Sequence, residues 1–274
     1  MSILGTVNGV AFNLFGLEVK WYGIIIVTGM VLAVWLATRE AKRVGLREDD
    51  IIDFMFWGLP LSIIGARLYY VIFEWEYYAA HPSEILAIRN GGLAIYGGLL
   101  AGGLVMYFFT RSRYISFWKF LDVAAPGVIV AQSIGRWGNF MNQEAYGGEV
   151  SRSFLEKLHL PNFIIDNMNI DGEYHHPTFL YESSWNMIGF FLLLWIRAKK
   201  NFLKEGEITF LYVMWYSFGR FFIEGMRTDS LWAFGVIRIS QLVSVVLFVV
   251  ALGLMLYRRK QDSTPFYNRN DGVK

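Results

Sequence analysis

Two sets of polar residues recur at helical spacing inside runs that are otherwise apolar. Tyr216, Arg220, Glu224 and Arg227 fall at i, i+4, i+8 and i+11; Gln132, Arg136, Asn139 and Gln143 fall at i, i+4, i+7 and i+11. Each set therefore lines one face of a helix. Hydrocarbon does not solvate such a stripe, so the two must face each other or a wet cavity. One reading is a pair of interhelical salt-bridge clusters. The other is a cavity whose arginines grip an anion, since the planar guanidinium fork meets two phosphate oxygens at once.

The elements that carry these stripes are membrane spans by composition. Of 274 residues, 55% are apolar and only 18% charged, and none is cysteine. That excludes a disordered chain, a disulfide scaffold, thiolate metal sites and a cysteine nucleophile. A net charge of +2 is too small and too scattered to suggest nucleic acid. Apolar runs long enough to cross a bilayer lie at 21–38, 51–73, 92–110, 120–138, 178–196, 207–225 and 238–257. The expectation is an all-α integral membrane protein with about seven transmembrane helices.

Basic residues orient them. Arg39, Lys42, Arg43 and Arg47 follow the first run, Arg111, Arg113 and Lys119 the third, Arg197, Lys199, Lys200 and Lys204 the fifth, and Arg258, Arg259, Lys260, Arg269 and Lys274 the seventh. These are most of the 25 Lys and Arg residues, all on one side, which places the N-terminus outside and the C-terminus in the cytoplasm. Residues 1–20 lack the basic start of a signal peptide and read as an outer, interfacial stretch. Residues 74–91, with Ile85, Leu86 and Ile88 among polar neighbours, read as an amphipathic outer arm. Residues 139–177 read as a small extracytoplasmic head. A transmembrane catalytic domain would thus span 1–260, and the polar tail 261–274 is expected to be disordered.

In this orientation the buried charges share one leaflet. Arg67, Arg136, Glu182, Arg220 and Glu224 all fall in outer halves or ends of spans, and Tyr22 and Tyr96 open spans one and three from the outside. Unrelated ion pairs would have no reason to choose one leaflet. Gly91, Gly92, Gly97, Gly98, Gly102 and Gly103 read as close helix packing. Gly135, Gly138, Gly147 and Gly148 flank Arg136, Asn139, Asn142 and Glu144, where glycine would let backbone amides approach a ligand. His176, before a proline at a helix start, suits a cap or packing role as well as acid–base work. No metalloprotease or serine-hydrolase motif occurs, and no metal or cofactor is expected.

The run GRWGNFMNQEAYGG from Gly135 to Gly148 resembles the signature of the bacterial phosphatidylglycerol–prolipoprotein diacylglyceryl transferases. WYG at Trp21–Gly23, GGLAIYGG at Gly91–Gly98, HPTFLYE at His176–Glu182 and the stripe from Tyr216 to Arg227 match further blocks in the family's order. The resemblance implies a multi-pass bacterial cell-membrane enzyme of lipoprotein biosynthesis. It would move the diacylglyceryl group of phosphatidylglycerol onto the lipobox cysteine of a preprolipoprotein, forming a thioether and releasing glycerol-1-phosphate. The thiol belongs to the substrate, so a cysteine-free chain raises no difficulty.

Carried over by position, Arg136 and Arg220 would hold the phosphate and steady the leaving group. Asn139 and Glu144 would orient the glycerol head, with Asn142 beside them and Gly147 letting the lipid lie close. Tyr22, Tyr216 and Arg227 would contact head group or substrate, Glu224 would hold Arg220 in register, and Glu182 would position its neighbours; Arg67, which lies in no matching block, joins the substrate-binding residues for its charge at outer-leaflet depth. Partners would be phosphatidylglycerol and lipobox signal peptides, with the enzyme a monomer. Tyr96 departs from the family's pattern, because many members carry there a histidine proposed as general base. A phenol with a reference pKa of about 10 is a poor base at neutral pH. Three accounts stay open: Tyr96 ionised beside arginines, His176 or a carboxylate acting instead, or no protein base at all. The last is favoured, since a thiol with a reference pKa of about 8.5 can lose its proton among arginines.

Two other classes compete with a transferase. A carrier for an anionic amphiphile would need comparable polar groups in the inner halves of the spans, where only Asp53 and Asp122 stand, both near helix ends. A holding factor that binds anionic lipid without reacting is set apart only by the motif residues, all of which but the histidine at position 96 are present.

Overall fold

The computed structural model describes residues 9–268 apart from 15, 89–90, 229–231 and 234–236. In chain order the helices are α1 (Trp21–Arg43), α2 (Glu48–Phe73), α3 (Trp75–Ala80), α4 (Ile95–Ser112), α5 (Phe117–Asn142), α6 (Arg152–Lys157), α7 (Asn162–Asn167), α8 (Thr178–Arg197), α9 (Glu207–Met226) and α10 (Ile239–Arg259). Seven of these coincide with the seven apolar runs. Five of them, α1, α2, α5, α8 and α10, are long and apolar enough to cross a membrane. The other two are more dilute: α4 carries four glycines and Arg111, and α9 carries Glu207, Arg220 and Glu224.

Short strands qualify the all-α expectation. Val10–Leu14 (β1) and Leu17–Lys20 (β2) form an antiparallel hairpin leading into α1, turning at Gly16, whose φ of 82° suits glycine. Glu149–Val150 (β3), Asn169–Ile170 (β4) and Glu173–His175 (β5) form a sheet ordered β3-β5-β4, and Trp232–Ala233 (β6) pairs with Ile237–Arg238 (β7).

The chain divides into two compact units, Ala37–Leu121 and the remainder. Within the first, α2 and α4 pack through small residues: a Cβ on Gly65 would strike Ala101, and one on Gly102 would come 2.7 Å from Ser62 Oγ. The packing reading therefore holds for Gly97 and Gly102, whereas a Cβ on Gly103 would meet nothing within 4 Å. At one end Arg113 spans Asp50 and Asp53 at 3.0 and 2.7 Å. At the other, α3 (Trp75–Ala80) follows the end of α2. Leu86, beyond it, is 85% exposed.

In the second unit, α1 lies on α5 through Gly29 against Ala131 and Gly127 against Ala33. The segment after α5 folds into a cap with its own apolar centre of Phe140, Leu155, Ile164, Ile165, Met168 and Phe179. Asn167 ties this cap to α5, donating to the Phe140 carbonyl and accepting from Gln143 Nε2, each at 2.8 Å. Asp122 closes the start of α9, accepting from Gly206 N, Thr209 N and Thr209 Oγ1 at 2.6, 2.8 and 2.7 Å. The tail differs from expectation. Residues 261–268 dock on the α8–α9 connection, with Glu205 N on Pro265 O, Tyr267 N on Leu203 O and the Tyr267 ring buried. Residues 269–274 of the expected disordered tail lie outside the described residues.

Candidate active site

Three helices of the second unit deliver the polar stripes to one another. Glu182, in the second turn of α8, pairs with Arg136 of α5 (Nη2 to Oε1, 2.7 Å) and with Arg220 of α9 (Nη1 to Oε2, 3.1 Å). Arg220 also pairs with Glu224 one turn on, at 2.6 Å. Arg136 donates from Nη1 to Asn139 Oδ1 at 3.2 Å, and the Tyr216 side chain stands beside Arg136. The carboxylates are enclosed, Glu182 being only 4% exposed along its side chain, whereas Arg136 retains 21%. Each guanidinium offers five N–H donors, so both arginines keep some uncommitted to the carboxylates.

The stripes are held together by the loop that follows α5. Gly147 N donates to His176 O and Gly148 N to Met226 O, while His176 N donates back to Gly148 O, each at 3.0 Å. Thr178 Oγ1 bonds the Ala145 carbonyl, and Gly147 bridges to Arg227 at the end of α9. The turn is tight, with Gln143 and Ala145 at φ of 51° and 58°, which for non-glycine residues is strained backbone of the kind often kept at functional sites. Asn142 Nδ2 donates to Glu144 Oε1 at 3.2 Å. Tyr22 joins from α1: its ring lies on Gly138, where a Cβ would sit 2.8 Å from Tyr22 Cδ2.

A family model described as prolipoprotein diacylglyceryl transferase matches residues 9–257. The chain is 64% identical to the phosphatidylglycerol–prolipoprotein diacylglyceryl transferase of Enterococcus faecalis, covering 99% of this chain and 98% of that one. It is 56% identical to the protein of that name from Pediococcus pentosaceus, over 94% and 92% of the two chains. For Lactiplantibacillus plantarum the identity is 55%, over 100% and 97%. The chain belongs to the prolipoprotein diacylglyceryl transferase family.

Of the expected site residues, several meet in one network and three have their partners elsewhere. Arg136, Asn139, Glu182, Tyr216, Arg220 and Glu224 form one contact network. Arg67 is not a free cation awaiting substrate. In the 37–121 unit it donates to the carbonyls of Glu84, Ile85, Gly91 and Gly92 at 2.7 to 2.9 Å, and it sits over the Tyr78 ring. It staples the chain after α3 to α2. Gly91 and Gly92, at φ of 89° and 71°, turn both carbonyls to it. Tyr96 opens α4 in that unit and is 44% exposed.

Gly147 also departs from the family-based expectation of close lipid approach. The space a side chain would take there is filled by protein: a Cβ would come 2.7 Å from His176 Cβ and 3.1 Å from Met226 O and Thr178 Cγ2. Gly147→Ala is therefore expected to destabilise the fold by about 1–3 kcal/mol, as overpacking does. A thermal melt in detergent checks it, and an unchanged midpoint would show that the loop yields freely.

His176, the third, faces Tyr181 (Nδ1 to Oη, 3.1 Å) and the Phe154 ring rather than either arginine. Burial lowers its pKa below the ordinary 6.5, so the ring is neutral at pH 7. Its folded pKa lies below its unfolded one, so this group costs stability as pH falls through that window. Beside Asn139, Glu144 and Thr178 the enclosed space is about 10 Å³, room for one water and not for a glycerol.

The Ser133–Ser183–Trp137 contacts and the paired indoles of Trp185 and Trp215, described below, were not singled out from sequence. The indoles had a signal, since W-x-x-x-G occurs at Trp185–Gly189 and again at Trp215–Gly219.

Proposed function

We propose that the chain transfers the diacylglyceryl group of phosphatidylglycerol to the lipobox cysteine thiol of preprolipoproteins. The observation that carries this is the pair of partly accessible arginines bridged by one enclosed carboxylate, in a chain covered almost end to end by relatives named for that reaction. The sulfur attacks the glyceryl carbon bonded to the phosphate oxygen. The C–S bond forms as the C–O bond breaks, and the electron pair leaves with glycerol-1-phosphate. Charge grows on that leaving oxygen, and the free N–H groups of Arg136 and Arg220 are suited to receive it. Asn139 and Tyr216 fix Arg136 against the pull of the phosphate, and Tyr22 on Gly138 walls the site toward α1.

The geometry bears on the missing base. Arg136 and Arg220 are matched by Glu182 and Glu224, so these four groups sum to no net charge. Their field on a nearby thiol is weaker than that of two bare arginines. Deprotonation is then driven chiefly by binding: the thiol proton leaves to solvent or to the phosphate leaving group, whose second pKa is about 6. Tyr96→Phe is accordingly expected to keep transfer within about tenfold of the native rate, less than general-base loss usually costs. Complete loss in a folded Tyr96→Phe protein would make the phenol the base.

Seven spans, an outside N-terminus and a cytoplasmic C-terminus are part of the same proposal, supported by the Lys/Arg bias and the seven long helices. They put the arginine cluster at outer-leaflet depth of the bacterial plasma membrane, where lipobox peptides emerge, and the protein acts as a monomer. A carrier would want a second polar site at the other end of the spans. The two aspartates there are committed, Asp53 to Arg113 and Asp122 to the start of α9.

The decisive experiment is a mass assay with purified protein, phosphatidylglycerol and a lipobox peptide in detergent. A diacylglyceryl gain on the peptide cysteine with release of glycerol phosphate supports the transferase. Saturable lipid binding without any gain would leave a lipid-holding factor in its place.

A further inference from the structure

Glu182 can bridge two arginines only if α8 keeps its height against both α5 and α9, and each contact has its own fastener. Toward α5, Ser133 Oγ donates to Ser183 O at 2.7 Å and lies 3.0 Å from Ser183 Oγ, which also accepts from Trp137 Nε1 at 3.2 Å. Toward α9 the fastener is a reciprocal pair. Trp185 Nε1 donates to Trp215 O and Trp215 Nε1 donates to Trp185 O, both at 3.0 Å. The two indoles stack at 4.2 Å with their planes 11° apart. Each ring lies across the partner helix's glycine: a Cβ on Gly219 would strike Trp185, and one on Gly189 would strike Trp215.

We infer that this two-fold clasp of W-x-x-x-G segments is a positioning device that sets the height of α8 on α9 and thereby holds Glu182 between Arg136 and Arg220. The inference rests on reading that cluster as the phosphate grip. Smooth helices in hydrocarbon have little to fix their sliding, because packing is nearly as good one turn away. Here a slip of one turn, about 5.4 Å, would strip both indole N–H groups of partners in a medium with no water to replace them. It would also drive each ring off its glycine onto residues with side chains. The clasp and the ion pair lie on one register: Glu182 is three residues before Trp185, and Arg220 five after Trp215 on the antiparallel neighbour. A helix shift smaller than a turn is enough to part a 3.1 Å contact. Trp185 and Trp215 touch no reacting atom in this scheme; they act through Glu182.

The test is Trp215→Phe, which keeps an aromatic ring and deletes one N–H, measured in the native protein and in a Glu182→Gln background. Through Glu182, the change is expected to lower kcat about tenfold with KM moved less than about twofold, as loss of orientation does. In the Glu182→Gln background the same change should cost less than about twofold, because what the clasp positions is already gone. An unchanged kcat, or an equal loss in both backgrounds, would reduce the clasp to ordinary packing. Should Trp215→Phe fail to fold, Trp185→Phe removes the reciprocal bond and is read the same way. Absence of transfer by the native protein would overturn the proposed function instead. The same four proteins then decide the clasp by thermal unfolding, where coupled losses support it and additive losses overturn it.

Discussion

Arg136→Ala is expected to bring transfer below detection, a loss of at least about 10³ in kcat/KM, in a protein that remains folded and inserted. Removal of a single donor aimed at developing negative charge costs about 10²–10³. Arg136 also supplies binding for the phosphate before reaction, so the two losses compound. The fold survives because Glu182 keeps Arg220 at 3.1 Å and is not left as an unpaired buried carboxylate. Arg136→Lys should fall between, retaining charge but losing the fork that reaches Asn139 from Nη1 and Glu182 from Nη2 together. The mass assay with matched amounts of monodisperse protein measures both. Full transfer by folded Arg136→Ala would remove the arginine grip from the mechanism.

How much of this was readable beforehand follows from what a one-dimensional pattern can encode. Span positions are set by runs of apolar residues, and the seven runs are the seven long helices to within a few residues. The arginine stripes were legible because i, i+4 spacing is itself a statement about a helix face. Glu182 was legible as a positioning residue only through the family block, since its bridging role joins α5, α8 and α9, and no spacing along one helix expresses that. The family block drew attention to Gly147 but not to why: the residues that crowd it, His176, Thr178 and Met226, come from two later helix ends. The partners of Arg67 were illegible for a related reason. It was placed by its charge and depth in the span, and nothing along α2 announces the four backbone carbonyls that it holds. Residues 261–268 are polar but gain order by pairing backbone with the α8–α9 connection, which composition does not reveal.

Glu182→Gln tests whether the enclosed carboxylate does more than neutralise. The amide has nearly the same shape, but its NH₂ must face an arginine donor, because one of the two oxygens that received Arg136 and Arg220 is gone. One guanidinium loses its anchor and the four-group cluster gains a positive charge. Phosphate binding should then hold or tighten, while the arginines no longer stand where charge appears on the leaving oxygen. The expected result is kcat lower by about 10² with KM unchanged or reduced, the pattern of lost transition-state geometry rather than lost affinity. Glu182→Asp keeps the charge but is one methylene shorter, so it can satisfy one arginine and not both. A loss of similar size there would show that bridging, and not charge, is what the site requires. If instead Glu182→Gln raised KM and left kcat alone, the carboxylate would be contacting the substrate itself, and the positioning role assigned to α8 would have to be abandoned.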